Sequence, residues 1–324
     1  MSLLVIDRET VHALLPMGEC IDLMREAMVA LSTGKTKQTL RQIIPLEAGA
    51  AFGVMPGAAA QVFGAKVLSV YPGNFALGIQ SHQGFVALFD PADGAPVAML
   101  HAGEITAIRT AAASAAATRV LARQDAHRLA ILGYGEQAHT HARAMALVRP
   151  LSGIVLWGRS RERAAVLARC LEDELSLPVR LADSVRDAVA EADIVCAVSA
   201  APEPILEGAW VAPGAHINLV GSSTAATREA DDALVARGRL FADHREGVLR
   251  QGGEVIHAIA AGLVGEDHVL GEIGEVMAGS LDGRRADDEV TIYKSLGAIV
   301  QDLFSGWHVY RRALAVGRGF AASF

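Results

Sequence analysis

Lys66 stands in an otherwise apolar run, Val62-Phe-Gly-Ala-Lys66-Val-Leu68. A lysine in such a run is either an edge-strand side chain reaching out to water or a buried functional group. Arg41, in Thr39-Leu-Arg41-Gln-Ile-Ile-Pro45, poses the same choice, and so does Arg109 in Glu104-Ile-Thr-Ala-Ile-Arg109-Thr110. Charges on strands and helices are usually solvated, so pattern alone leaves all three open. A second constellation is more specific. Arg128-Leu-Ala-Ile-Leu-Gly133-Tyr-Gly135-Glu-Gln137-Ala138 is an apolar β-rich run ending in Gly-x-Gly-x-x-Ala, followed by a helical stretch to Val148. Strand, tight turn and helix are the context of a dinucleotide fingerprint. Gly133 permits the turn, Gly135 lets the backbone approach a pyrophosphate, and Ala138 is small enough for helix and strand to pack. The helix N-terminus offers N–H groups and the positive end of a dipole. The alternative is a structural βα turn without a ligand.

The next strand, Ile154-Val-Leu-Trp157, runs into Gly158-Arg159-Ser160-Arg161, and no acid occurs before Glu162. An NAD-specific site usually places a carboxylate here for the ribose 2′-OH. Arg159 can instead stack on adenine and pair with a 2′-phosphate, and Ser160 can hydrogen-bond it. These residues predict NADP(H) over NAD(H); the alternative is that the arginines open a solvated helix.

The elements that must carry these groups follow from periodicity. A short strand at 3–6 and helices through Leu15 and over Met17–Leu31 precede strands near 39–44, 51–55, 62–70 and 84–89, with Pro96–Leu100 apolar again. Glu104–Arg123 reads as one Ala-rich helix. Beyond it, strands near 128–132, 154–157, 179–182, 194–198, 216–220 and 239–242 alternate with helices near 137–148, 161–175, 185–191, 205–209, 229–235 and 246–250. That alternation predicts an α/β fold, a doubly wound parallel Rossmann sheet in the order 3-2-1-4-5-6. Tyr293–Arg318 reads as a long final helix that returns to the front of the chain. The substrate-binding front domain is therefore a discontinuous α+β unit, 1–123 plus 296–324, around a dinucleotide-binding domain at 124–295.

Composition excludes several classes. Of the 324 residues 52% are hydrophobic and 20% charged, with net charge −7, as expected of a globular protein. No basic stripe points to nucleic acid. The Ala-rich run at 110–117 is too short to span a bilayer, and the N-terminus lacks the basic and apolar regions of a signal peptide. Three scattered cysteines, Cys20, Cys170 and Cys196, suit a reduced cytoplasmic protein. No metal site is expected, because the 11 histidines lack ligand spacing.

Several blocks in a fixed order resemble the ornithine cyclodeaminase/mu-crystallin family over nearly the whole chain. They are Gly64-Ala-Lys66, Gly78-Ile-Gln80-Ser81-His82-Gln83-Gly84, Glu104 through Ser114, the fingerprint, Gly271 through Gly279, and Asp288 through Gly297. The resemblance implies a homodimer built through the front domains, each chain with a Rossmann domain. It implies that Arg41, Lys66 and Arg109 surround the carboxylate of a small amino or imino acid. A planar guanidinium suits that carboxylate, and a lysine beside two arginines has a depressed pKa suited to proton exchange with the substrate nitrogen. By the same resemblance Ser81 lies near the nicotinamide, Thr110 and Gln137 on the phosphate side, and Arg109, Ser199, Val220 and Ser295 make further cofactor contacts. His82 either lines the pocket or is a structural hydrogen-bonder.

The sequence departs from the cyclodeaminases at the loop Val220-Gly221-Ser222-Ser223-Thr224. Cyclodeaminases carry an Asp where Ser223 stands, and a hydroxyl is no carboxylate base at neutral pH. Gly53 likewise replaces a Glu. Both losses matter for multistep deamination and neither for hydride transfer to a preformed C=N bond. The expected activity is therefore reduction of a cyclic imino acid, pyrroline-2-carboxylate or piperideine-2-carboxylate, to proline or pipecolate. An ornithine cyclodeaminase, an amino-acid dehydrogenase, and a crystallin-like binder without catalysis are the alternatives.

Overall fold

The computed structural model describes residues 2–323, apart from the side chains of Phe75 and Ala76. The chain divides into two compact units, Met1–Arg109 with Ala298–Phe324, and Thr110–Gly297. The division falls inside a helix that ends at Leu121.

The first unit opens with β1 (Ser2–Ile6), α1 (Arg8–Leu14) and α2 (Met17–Ser32). Asp7 caps α1 by accepting from the Thr10 amide (2.9 Å). Six strands follow: β2 (Lys37–Gln38), β3 (Gln42–Pro45), β4 (Ala51–Ala59), β5 (Val62–Val70), β6 (His82–Phe89) and β7 (Pro96–His101). Helix α3 (Ala102–Leu121) comes next. Arg41 lies just before β3, not within a strand as its apolar neighbours suggested. The unit's sheet has the order β16-β1-β7-β6-β5-β4-β2, with β3 also on β4 and β16 at Phe320–Ser323. Only β1 with β7 is a parallel pair. Gly64 and Gly84 allow β5 and β6 to approach. A Cβ on Gly64 would lie 2.0 Å from the Ala87 carbonyl oxygen, and one on Gly84 2.0 Å from that of Val67.

The second unit holds an all-parallel sheet. Its strands are β8 (Arg128–Leu132), β9 (Gly153–Trp157), β10 (Val179–Leu181), β11 (Ile194–Ala197), β12 (His216–Leu219), β13 (Arg239–Ala242), β14 (Val269–Glu272) and β15 (Thr291–Lys294). Helices are α4 (Glu136–Ala146), α5 (Arg161–Leu175), α6 (Val185–Val189), α7 (Asp232–Arg237), α8 (Arg245–Gln251), α9 (Gly253–Ala260) and α10 (Ile273–Ala278). Leu132, Val195, Ile217, Leu219, Leu240 and Ile292 are fully buried in one core beneath it. An uninterrupted apolar strand such as β11, Ile-Val-Cys-Ala, is what a sheet covered on both faces requires.

The strand order is β10-β9-β8-β11-β12-β15-β13-β14. It is the doubly wound order with β15 inserted between the fifth and sixth strands and β14 added at the edge. The final helix is correspondingly shorter than periodicity predicted. Tyr293 and Lys294 belong to the buried strand β15, and the helix proper, α11, spans Ile299–Val316. Gly297, at φ +88°, separates strand from helix, and Gly317, at φ +66°, ends it. The helix expected at 205–209 is also absent. Leu206 there bridges to Ala230, and a short 3-10 turn covers Gly208–Trp210. Asp231 caps α7 by accepting from the Leu234 amide (2.8 Å).

Helix α11 packs on β4, β5 and β6 and against α2. Gly57 makes the approach possible, since a Cβ there would lie 2.5 Å from Ile299 Cγ2. The packing carries Gln301 and Asp302 beneath the middle of the first unit's sheet.

Candidate active site

Lys66 is in the middle of β5 and only 3% exposed. Its Nζ donates to Thr106 Oγ1 (2.5 Å) on α3 and to Asp302 Oδ1 (3.2 Å) on α11. Arg109, one helical turn beyond Thr106, donates through Nε to the same Asp302 oxygen (3.2 Å) and through NH1 to Gln301 Oε1 (2.6 Å). Two cations thus share one fully buried carboxylate whose other oxygen, Oδ2, has no hydrogen bond. A buried polar atom left unsatisfied points to a site kept for chemistry more than for stability. Burial pushes the Lys66 ammonium down to about 8; Asp302 opposes that shift, and Arg109 and Arg41 add to it.

His82 opens β6, and its Nδ1 meets Ser81 Oγ at 2.9 Å. The ring keeps a solvent-exposed face. The protein packed around the rest of it, with Lys66, Arg109 and Arg41, pushes the imidazole down to about 4. Solvent at the ring weakens the first effect, but repulsion by three cations has the same sign. Arg41, Lys66, His82 and Arg109 therefore lie close enough to act on one another, and Ser81 joins them through His82. With a neutral imidazole and one internal carboxylate, the cluster retains an excess of positive charge, which suits an anionic ligand. Asp302, Gln301 and Thr106 escaped the sequence reading. Their signals were faint: a Gln-Asp pair inside the apolar stretch Ile299–Phe304, and a Thr three residues before Arg109.

In the second unit Gly133 has φ +139°, and a Cβ there would lie 2.8 Å from the Val198 carbonyl oxygen. Its amide donates to Trp157 O (2.9 Å). Gly135 caps α4 without a side chain, and nothing lies within 4 Å of the position a Cβ would take. Ala138 is fully buried. Gln137 Oε1 is buried with no hydrogen-bond partner, as is the Ser295 hydroxyl just after β15. The Tyr134 ring covers Gly158, where a Cβ would fall 2.2 Å from its Cδ1. Arg159 is exposed beside it, and Ser160 caps α5, accepting from the Arg163 amide (3.4 Å). An open glycine cradle and two orphaned polar atoms fit a bound dinucleotide. Thr110 is buried at the start of the unit.

The remaining residues cluster at the carboxyl ends of β11, β12 and β15. Ser199 turns its hydroxyl to Glu229 Oε1 (2.7 Å). The Val220 amide donates to Ala197 O (3.0 Å), and the Ser295 amide to Leu219 O (3.0 Å). The Ser222 hydroxyl donates to the Thr227 carbonyl and meets the Thr227 hydroxyl (2.9 Å), and Ser223 stands next, half-buried. No metal site was expected, yet the structure brings ligand-type atoms of His139, Cys170 and Glu174 within 4.8 Å of one another across α4 and α5. Sequence spacing could not reveal a group split between two helices.

The ornithine cyclodeaminase/mu-crystallin family model matches residues 2–317. The chain belongs to that family. It is 38% identical to the ketimine reductase mu-crystallin of Mus musculus over 280 residues, 86% of this chain and 85% of the relative. It is 31% identical to a Delta(1)-pyrroline-2-carboxylate reductase of Bacillus cereus over 322 residues, 98% of each. The solved Delta(1)-pyrroline-2-carboxylate reductase of Thermococcus litoralis, in complex with NADH and L-proline, superposes with a TM-score of 0.96 at 33% identity, covering 98% of this chain and 99% of that one.

Proposed function

We propose that the protein is an NAD(P)H-dependent reductase of a cyclic imino acid, pyrroline-2-carboxylate or piperideine-2-carboxylate, giving proline or pipecolate. The observation that carries the reading is the buried Lys66–Asp302–Arg109 cluster, with Arg41 beside it, in a family whose relatives include pyrroline-2-carboxylate reductases. Arg41 and Arg109 hold the substrate carboxylate, and hydrogen bonds to a charged group contribute about 1.5–3 kcal/mol each. Lys66, directly or through water, delivers a proton to the imine nitrogen. Its ammonium is pushed down to about 8, close to the operating pH where proton transfer is most effective. Asp302 keeps Lys66 and Arg109 aimed at one point. When bound, the reduced nicotinamide supplies the hydride that adds to C2 of the imine. Ser81 and His82 border the reacting end, and Ser223, a hydroxyl where deamination needs a carboxylate base, suits single reduction.

NADP(H) is the favoured cofactor, because Arg159 is exposed beside the cradle and no carboxylate precedes Glu162. A homodimer through the first unit is supported by its exposed Ile43, Ile44, Leu46 and Phe52. The three free cysteines support a cytoplasmic location, and no helix among the described residues is long and apolar enough to cross a membrane. A crystallin-like binder without catalysis would have little use for a buried lysine shared with Asp302.

The decisive assay mixes purified protein with pyrroline-2-carboxylate and NADPH or NADH, and separately with ornithine and NAD. Oxidation of NADPH with formation of proline is expected. Proline and ammonia from ornithine would overturn the reductase reading, and a clear preference for NADH would overturn the cofactor assignment.

A further inference from the structure

Behind the loops that end β11 and β12 lies a buried polar cluster that the proposed chemistry does not use. Glu229, fully buried, accepts from the Ser199 amide (2.7 Å) and the Ser199 hydroxyl (2.7 Å) at Oε1, and from the Gly221 amide (2.6 Å) at Oε2. Its own amide donates to Glu254 Oε1 (3.0 Å). Glu254 Oε2 is ion-paired to Lys294 Nζ (2.8 Å), and the same Nζ donates to the Ser222 carbonyl (2.7 Å). Glu229, Glu254 and Lys294 are all inaccessible to solvent. Three donors converge on the two oxygens of Glu229, an arrangement that suits a carboxylate, which accepts at both. Burial pushes its carboxyl up, whereas Ser199 and Lys294 hold it down.

The contacts have a consistent geometry. One carboxylate ties Ser199, two residues past β11, to Gly221, two residues past β12, and so holds the two loops together. Glycine at 221 is required for this closeness, since a Cβ there would lie 2.1 Å from the Ser199 carbonyl oxygen and 2.5 Å from Glu229 Oε1. In a doubly wound sheet the fingerprint half takes the adenosine end of a dinucleotide, and the second half, which β11 and β12 open, takes the other. The fingerprint and Arg159 lie on the first half; the Glu229 clamp lies on the second.

We propose that Glu229 is a positioning residue for the nicotinamide end of the cofactor, holding Ser199 and the Val220–Ser223 loop in the one arrangement that receives it. This rests on the reading of the protein as a nicotinamide-dependent reductase. Glu229→Gln places an amide N–H against a donor in either orientation, so one of the two loop contacts must open. NADPH is compared with 2′-phospho-ADP-ribose, which lacks the nicotinamide, by titration of protein fluorescence. The variant is expected to bind NADPH ~10-fold or more weakly, since small misplacements of positioned groups are costly, while binding 2′-phospho-ADP-ribose within about twofold of wild type. Amide hydrogen exchange at Ser199 and Gly221 rises in parallel. Glu229→Asp retains the acceptors but retracts them by a methylene. It shows the same selective loss to a smaller degree, and it carries the test if the Gln variant does not fold. Equal losses for both ligands, or none for either, would overturn the assignment. Wild-type protein that binds no nicotinamide nucleotide would instead overturn the function reading, and this inference with it.

Discussion

In the proposed reaction Lys66 is the residue on which the chemistry turns, and its environment makes two predictions. Removing the proton donor by Lys66→Ala lowers kcat about 10²–10⁴-fold and leaves NADPH affinity within a factor of about two, because the adenosine end is held on other residues. Pre-steady-state and binding measurements separate these effects; a kcat near wild type removes Lys66 from the mechanism. The second concerns pH. Lys66 titrates near 8, so the ammonium exists below that value and is lost above it, and kcat/KM for imine reduction falls as pH rises through about 8. Asp302 opposes this depression. Asp302→Asn therefore moves the falling limb to lower pH, and a limb that stays in place refutes the coupling. Lys66 itself was visible in the sequence as a charge in an apolar run. Asp302 was not, because nothing local distinguishes an aspartate on a helix facing water from one facing two buried cations.

Among the elements, the βα turn at Gly133 was the most legible. It is a local signal, made of a strand's apolar run, two glycines and a helix start, and those same residues satisfy one another in the structure. Its conformation is also demanding. Gly133→Ala puts a Cβ at φ +139°, 2.8 Å from the Val198 carbonyl oxygen. The expected cost is about 1–3 kcal/mol of stability, seen as a lowered Tm, with weaker binding of NADPH and 2′-phospho-ADP-ribose alike. An unchanged Tm would mean that the turn relaxes freely. The strand β15 was the least legible. Thr291-Ile-Tyr-Lys294 is four residues long, and its Tyr and Lys flow into the helical periodicity of Leu296, Ile299, Val300 and Leu303. Lys294 is tolerated in a central strand because Glu254, forty residues earlier in the chain, and the Ser222 carbonyl meet its ammonium.

The whole molecule raises the question of how copies associate. The first unit exposes Ile43 (47%), Ile44 (59%), Leu46 (41%) and Phe52 (37%) on and beside β3 and β4. Ile44 and Phe52 are cross-strand partners, and neighbouring apolar side chains left exposed are costly in water, as at interaction surfaces. With the dimer proposed above, Ile44→Glu converts the protein to monomer in sedimentation analysis without unfolding it. A variant that sediments as the wild type does would locate the contact elsewhere or exclude it.

The sequence by itself determined what is local: the dinucleotide turn, the alternation that makes a parallel sheet, the missing carboxylate after the second strand, and the ordered blocks that mark the family. These are short-range matters of sterics, periodicity and charge, readable within a dozen residues. The tertiary structure decided which distant groups share a charge. Asp302 meets Lys66 and Arg109 because α11 returns across the first sheet, and Glu229 meets Ser199 and Gly221 because two neighbouring strands end together. The physical reason is the same in both cases. A buried carboxylate is stable only where its partners converge, and convergence is a property of packing that no stretch of sequence contains.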